Sequence, residues 1–237
     1  MRWAIAGLLV ALAGCSLSPD REAIDRKKLA QIYTEKGIAY LAQGQPQNAL
    51  ADLRHALEID PDNAAAHEAI AVLYEKLGMD DKAAEHYRRA LALQPDDARL
   101  LNNYGLFLCH RGDYDAGMKR LVRAANNKLY AQRWKAMTNA GLCALRAGQL
   151  AEAEDWLRQA LALEPDAPQP LAAMARLMAR KRQWLAARAF LQRYEVVAEP
   201  TPELLQLGVQ IESALGDEQA AAAYRRRLKR ITPKTHP

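Results

Sequence analysis

Two of the 237 residues are phenylalanine, three are cysteine, and aromatic residues make up 6% of the chain. Alanine and leucine dominate the hydrophobic half instead, a composition for closely packed helices with small contact faces. The five histidines, His55, His67, His86, His110 and His236, form no HExxH motif and no Cys/His cluster at ligand spacing, so no metal is expected. A glycine-rich phosphate loop and a GxSxG-type nucleophile motif are both missing, and acidic residues are scattered over solvated faces. No catalytic residue, cofactor or small-molecule substrate is therefore expected, and the chain is not read as an enzyme. The absence of CxxC argues against a redox-active role. A formal charge of +5, from 33 basic and 28 acidic residues, permits weak attraction to anionic surfaces. Because no aromatic residues interleave the basic clusters, no nucleic-acid partner is expected. No strand pattern competes with helix anywhere. The apolar run at residues 3–13 is too short to span a bilayer as a mature helix.

What is present is a repeated phrase. Over residues 30–97, Gly37 aligns with Ala71, Tyr40 with Tyr74, Gly44 with Gly78 and Ala49 with Ala83, each 34 residues apart. Leu53 and Tyr87, Ala56 and Ala90, and Pro61 and Pro95 continue the register. The pattern resembles the tetratricopeptide (TPR) repeat, a helix–turn–helix unit that buries its apolar face only against its neighbours. The implied fold is all-α, a right-handed superhelical solenoid of about six TPR units over residues 26–233. Repeats are expected at about residues 30–63, 64–97, 98–133, 134–167, 168–200 and 201–233.

In repeat one, helix A carries Tyr33, Gly37 and Tyr40. Gly44-Gln45-Pro46 turns the chain, and Pro46 starts helix B, where a missing N–H is tolerated. Repeat three departs from the frame: Gly117 stands where alanine is expected, which should weaken packing, and repeat four is delayed by two residues after Asn126-Asn127. Repeat five has Arg182 at the turn glycine. In repeat six, Gly208, Gly216, Ala220 and Tyr224 hold the frame one residue out of step. The basic run at residues 225–230 supplies a polar end cap, and with Arg180-Lys181-Arg182 it is also compatible with anionic lipid or an acidic partner.

The N-terminus reads as a targeting segment. Arg2 precedes the apolar run, which closes on Leu12-Ala13-Gly14-Cys15, similar to the bacterial lipobox. That resemblance implies a signal peptide at residues 1–14, acylation of Cys15 and a stable membrane anchor. Residues 15–25 then form the lipidated cysteine and a polar tether, with the first helix starting near Arg26. Ser16 stands where an aspartate would signal inner-membrane retention, so an outer-membrane address facing the periplasm is expected.

Cys109 and Cys143 occupy the twelfth residue of helix A in repeat three and the tenth in repeat four. Adjacent A helices with that offset place them about 3 Å apart axially. In an oxidising compartment a disulfide is possible; two buried free thiols are the alternative. Positions 2, 5, 9, 12 and 13 of each A helix line the binding groove, by analogy with the TPR family. In repeat one these are Gln31, Thr34, Ile38, Leu41 and Ala42, where Ile38 and Leu41 offer an apolar strip to a partner peptide or helix. Coverage of that strip by residues 24–29 is the alternative. In repeat three, Asn102 and neighbouring Asn103 can bond a peptide backbone or brace the next helix.

The lipobox, the tether, six TPR units and the phrase Asn102-Asn103-Tyr104-Gly105-Leu106-Phe107-Leu108-Cys109 together resemble the PilF/PilW family of type IV pilus biogenesis lipoproteins, over essentially the whole chain. The resemblance implies a pilotin, a protein that binds the secretin subunit and promotes its delivery to, and multimerisation in, the outer membrane. It also implies a binding surface in the N-terminal repeats and a Cys109–Cys143 disulfide. A periplasmic scaffold organising other envelope or peptidoglycan machinery is the competing reading.

Overall fold

The computed structural model describes residues 19–231, with side chains from residue 23 onward. The expected signal peptide and Cys15 lie outside the described residues. Twelve helices and no strand are found among those described. They fall into two compact units, one ending at His86 and one beginning at Tyr87.

The first unit contains α1 (Pro19–Ala42), α2 (Pro46–Ile59), α3 (Ala64–Lys76) and the first half of α4 (Asp80–Leu93). The expected start near Arg26 moves upstream, because the residues read as a tether from Pro19 onward belong to α1. Pro46 opens α2 as expected, and Asn63 caps α3 by accepting from the Ala66 amide at 3.0 Å. Gly37 of α1 lets α2 close on it: a methyl group there would sit 2.6 Å from Leu53 Cγ.

The second unit pairs α5 (Ala98–His110) with α6 (Tyr114–Asn126), α7 (Arg133–Arg146) with α8 (Leu150–Leu163), α9 (Pro168–Arg180) with α10 (Trp184–Val197), and α11 (Pro202–Leu215) with α12 (Glu218–Ile231). Each B helix also meets the next A helix, and α5, α7 and α9 adjoin in series. The core is a column of leucines and alanines. Leu121, Leu157 and Leu191 fill the register that Leu53 occupies in α2, all essentially buried. In α12 the buried alanine is Ala221 rather than the expected Ala220, which is only half-buried.

One turn geometry recurs. Gly44, Gly78, Gly112, Gly148 and Gly216 all have φ between 69° and 85°. In the first turn Gln45 N–H donates to Tyr40 O at 2.9 Å and Gly44 N–H to Leu41 O at 3.2 Å, the paired bonds that close a helix through a left-handed residue. Arg182 takes that conformation without being glycine, with φ 57°, and Gln183 N–H still reaches Met178 O at 2.9 Å. The repeat geometry dictates the turn, and Arg182 is strained into it.

The irregular junction after α6 is ordered by Asn127, whose side-chain oxygen accepts from the Leu129 amide at 2.9 Å. Gly117 differs from expectation in meaning. Far from weakening the packing, it makes room: an added methyl would run into Cys109 Sγ and stand 2.8 Å from Gly105 O.

Candidate partner-binding surface

Cys109 and Cys143 are joined in a disulfide, with Cα atoms 5.5 Å apart, that ties α5 to α7. Both sulfurs are buried beside Leu121 and Ala140. The same two helices share a second tie, since Asn139 Nδ2 donates to Asn102 Oδ1 at 2.9 Å and Asn102 Nδ2 to Asn103 Oδ1 at 3.2 Å. Asn102 is 6% exposed, so of its two expected roles the structure selects the brace. Asn103 beside it is half-buried.

Thr34 differs from the groove role expected of it in the same way. It is 3% exposed, donates to Ala30 O at 2.8 Å and accepts from Asn63 Nδ2 at 3.1 Å. Because Asn63 also caps α3, this chain of bonds fixes α1 against the start of α3. The fifth residue of every repeat is buried: Thr34, Glu68, Asn102, Thr138, Ala172 and Leu205. A signal was available in the sequence, since four successive repeats place a hydrogen-bonding side chain there.

The rest of the repeat-one strip does face solvent. Gln31 is exposed and bonds Glu35 at 2.8 Å, Ile38 is 46% exposed, and Leu41 beside it is half-buried. Residues 24–29 do not cover them, because they continue the same helix upstream. Ile24 and Leu29 are themselves exposed. Ile32 is 58% exposed, although Ala66, at the same register of α3, is fully buried. Alongside, Lys36 pairs with Asp52 at 3.2 Å and lies over the rings of Tyr33 and Tyr40. The hydrogen bond to the Asp52 carboxylate holds its ammonium above the ordinary lysine range.

A cluster not foreseen from the sequence lies among α2, α3 and the start of α4. A cavity of about 270 Å³ is lined by Arg54, Leu57, Glu58, Ile70, Tyr74 and His86. At its edge the Nδ1 atoms of His67 and His86 are 3.0 Å apart, and His67 Nε2 is 3.1 Å from Pro61 O. A carbonyl oxygen only accepts, so His67 donates there; when neutral, its Nδ1 accepts from His86 Nδ1–H. Burial, then the neighbouring His67, hold His86 below the ordinary histidine range. Farther along, Arg188 pairs with the buried Glu212 and reaches Asp217 at 3.5 Å.

This frame matches known proteins over nearly its whole length. The tetratricopeptide repeat family matches residues 64–97 and 134–167, with related TPR matches at residues 37–78 and 86–118. The type IV pilus assembly protein PilF of Pseudomonas aeruginosa is 34% identical, across 95% of this chain and 91% of its own. The chain belongs to the PilF/PilW family of type IV pilus biogenesis proteins. The solved P. aeruginosa PilF structure superposes with a TM-score of 0.80 at 33% identity, covering 89% of this chain and 95% of that one. That of PilW, described as a widely conserved type IV pilus biogenesis factor, does so at 0.82 and 32%, covering 87% and 95%. An all-α TPR stack is thus the PilF/PilW architecture, and the relatives are proteins of type IV pilus assembly and biogenesis.

Proposed function

We propose that the protein is a pilotin: an outer-membrane lipoprotein, anchored through Cys15 and facing the periplasm, that captures the secretin subunit and promotes its multimerisation. Full-length similarity to PilF and PilW carries the reading. The Leu12-Ala13-Gly14-Cys15 lipobox supports the anchor, and solvent-facing Ile38 with Leu41 supports a capture surface in the first repeat. The mechanism makes and breaks no bond in the cargo. Acyl chains supply the membrane address, repeat one supplies affinity, and tethering raises the local concentration of subunits where they assemble.

Replacing Cys15→Ala tests it. Secretin should still co-purify with the variant, while secretin multimers vanish from the outer membrane. Undiminished multimers there would refute the anchor, and a cell-wall enzyme in place of secretin among co-purifying proteins would favour the envelope-scaffold reading.

A further inference from the structure

The A helices of the second unit carry an unusual charge distribution. Across α5, α7 and α9 there are six Lys or Arg residues and not one Asp or Glu. Their partner α8 carries Glu152, Glu154 and Asp155, and the A helices on either side carry acid too: Glu68 and Glu75 in α3, Glu203 and Glu212 in α11. Carboxylates are therefore withheld from three consecutive A helices specifically.

Most of these cations share one face. Lys135 and Arg146 are eleven residues apart, about three turns, and Arg176 and Arg180 are four apart, so each pair projects from one side of its helix. Arg99 and His110 occupy in α5 the registers that Lys135 and Arg146 occupy in α7. Arg146, Arg176 and Arg180 are exposed, and Lys135 is half-buried. The helices are held side by side by the Cys109–Cys143 bridge, by Asn139 on Asn102, and by Arg180 Nη1 donating to Leu145 O at 2.8 Å. Two carboxylates lie at the margins. Asp97 is 3.7 Å from Arg99, and Glu203 at the start of α11 stands near Arg176. Between the rows of cations lie half-buried Leu106 and Leu142 and the amide of Asn139.

We propose that this face binds an extended acidic segment of a partner protein. Side chains on one face of an extended strand recur about every 6.6–7 Å. Packed helices lie about 8–10 Å apart, so carboxylates two or three residues apart meet cations of successive helices. Guanidinium forks pair with carboxylates, while the amide and the leucines suit a peptide's backbone and its intervening side chains. The registers of these cations hold no Phe, Tyr or Trp, and the neighbouring Trp134 is half-buried with the Lys135 ammonium 5.5 Å from its ring centroid, so no row of rings is offered to stacked nucleotide bases. The site lies wholly in the second unit and does not depend on the secretin reading.

The test is fluorescence anisotropy with the mature, disulfide-bonded chain and a labelled alternating Glu-Ser peptide of about ten residues. Matched Gln-Ser and Lys-Ser peptides serve as controls. The Glu-Ser peptide should bind and the other two should not. Its affinity should fall several-fold between about 50 mM and about 200 mM salt. Arg146→Glu with Arg176→Glu should weaken binding by about tenfold or more. Arg226→Glu with Arg230→Glu, on the end cap, should leave it within about twofold. If the first pair perturbs the circular dichroism spectrum, Arg146→Gln with Arg176→Gln replaces it. Equal binding of Glu-Ser and Gln-Ser peptides overturns the proposal, as does equal weakening by the end-cap pair. So does a reversal pair that abolishes binding to phosphatidylglycerol vesicles or duplex DNA while leaving peptide affinity unchanged.

Discussion

Gly117 of α6 and Cys109 of α5 are so close that a single methyl group on the glycine would collide with the cysteine sulfur. The repeat calls for alanine at this register, as at Ala49 and Ala153, and the disulfide displaces it. Gly117→Ala should therefore destabilise the protein. Overpacking of this kind costs about 1–3 kcal/mol, while alanine in place of a mid-helix glycine gains about 1 kcal/mol of helix propensity. A net loss of up to about 2 kcal/mol is expected, read as a lower urea midpoint. An unchanged or higher midpoint would show that the two helices can separate to admit the methyl.

The disulfide itself closes a 34-residue separation. In the chain-entropy view, a loop of that length stabilises by about 3–4 kcal/mol. Protein purified without reductant should show no reactive thiol on Cys109 or Cys143 after denaturation, and two after reduction. Cys109→Ala with Cys143→Ala should lower the melting temperature substantially, and an equal melting temperature contradicts the bridge's structural role.

Arg182 is the one non-glycine residue with positive φ among those described. A left-handed conformation costs an L-residue roughly 1–2 kcal/mol, and glycine's greater freedom when unfolded returns part of that. Arg182→Gly should stabilise by about 0.5–1 kcal/mol. Arg182→Val should destabilise, because a β-branched residue fits that conformation worst. Both follow from thermal or urea melts, and a reversed order would remove the strain argument.

Acid should loosen the first unit. His86 sits below the ordinary histidine value chiefly through burial, with His67 and Arg54 adding to the effect and Glu85 opposing it. Its folded pKa is depressed, so its contribution to stability is full above the unfolded value of about 6.5. That contribution is lost as the pH falls through the folded value. A further proton on each ring also leaves both Nδ1 atoms as donors, which breaks their hydrogen bond. Stability should decline from about pH 7 to about pH 5, and His86→Gln should flatten that slope. An equally steep decline in the variant would place the titrating group elsewhere.

Thr34 and Ile38 belong to the same turn-by-turn strip, yet one is buried and the other open. Thr34→Val removes the acceptor for Asn63 Nδ2 and should cost about 1 kcal/mol of stability with partner capture intact. Ile38→Asp should do the reverse, leaving the melt unchanged and weakening secretin pull-down. If the two variants exchange these phenotypes, the capture surface is not where repeat one exposes it.

Much of the architecture was legible because a TPR stack is made of local, periodic contacts. Gly44 and Ala56 recur 34 residues on as Gly78 and Ala90, Gly37 and Leu53 are answered there by Ala71 and Tyr87, and similar packing residues at the same spacing give the same helix pair. Legibility failed where a residue's neighbour lay in another helix. Asn102 could be read as a ligand for a peptide or as a brace, and only the 2.9 Å bond from Asn139 decides between them. His67 and His86 have no motif between them and meet only when α3 and α4 pack. Pro19 and the residues after it read as tether because the stretch is short, charged and contains a proline, yet they extend α1.

From the amino acids alone come the repeat period, the helix pairs and the turn positions, set by side-chain size and spacing along the chain, and the resemblance to PilF and PilW, carried by the lipobox and the phrase from Asn102 to Cys109. The tertiary structure decided which polar residues of the A helices are buried and which face solvent. It also showed that Gly117 accommodates a sulfur atom rather than marking a weak joint. Both depend on distances between atoms of different helices, which a linear pattern does not encode.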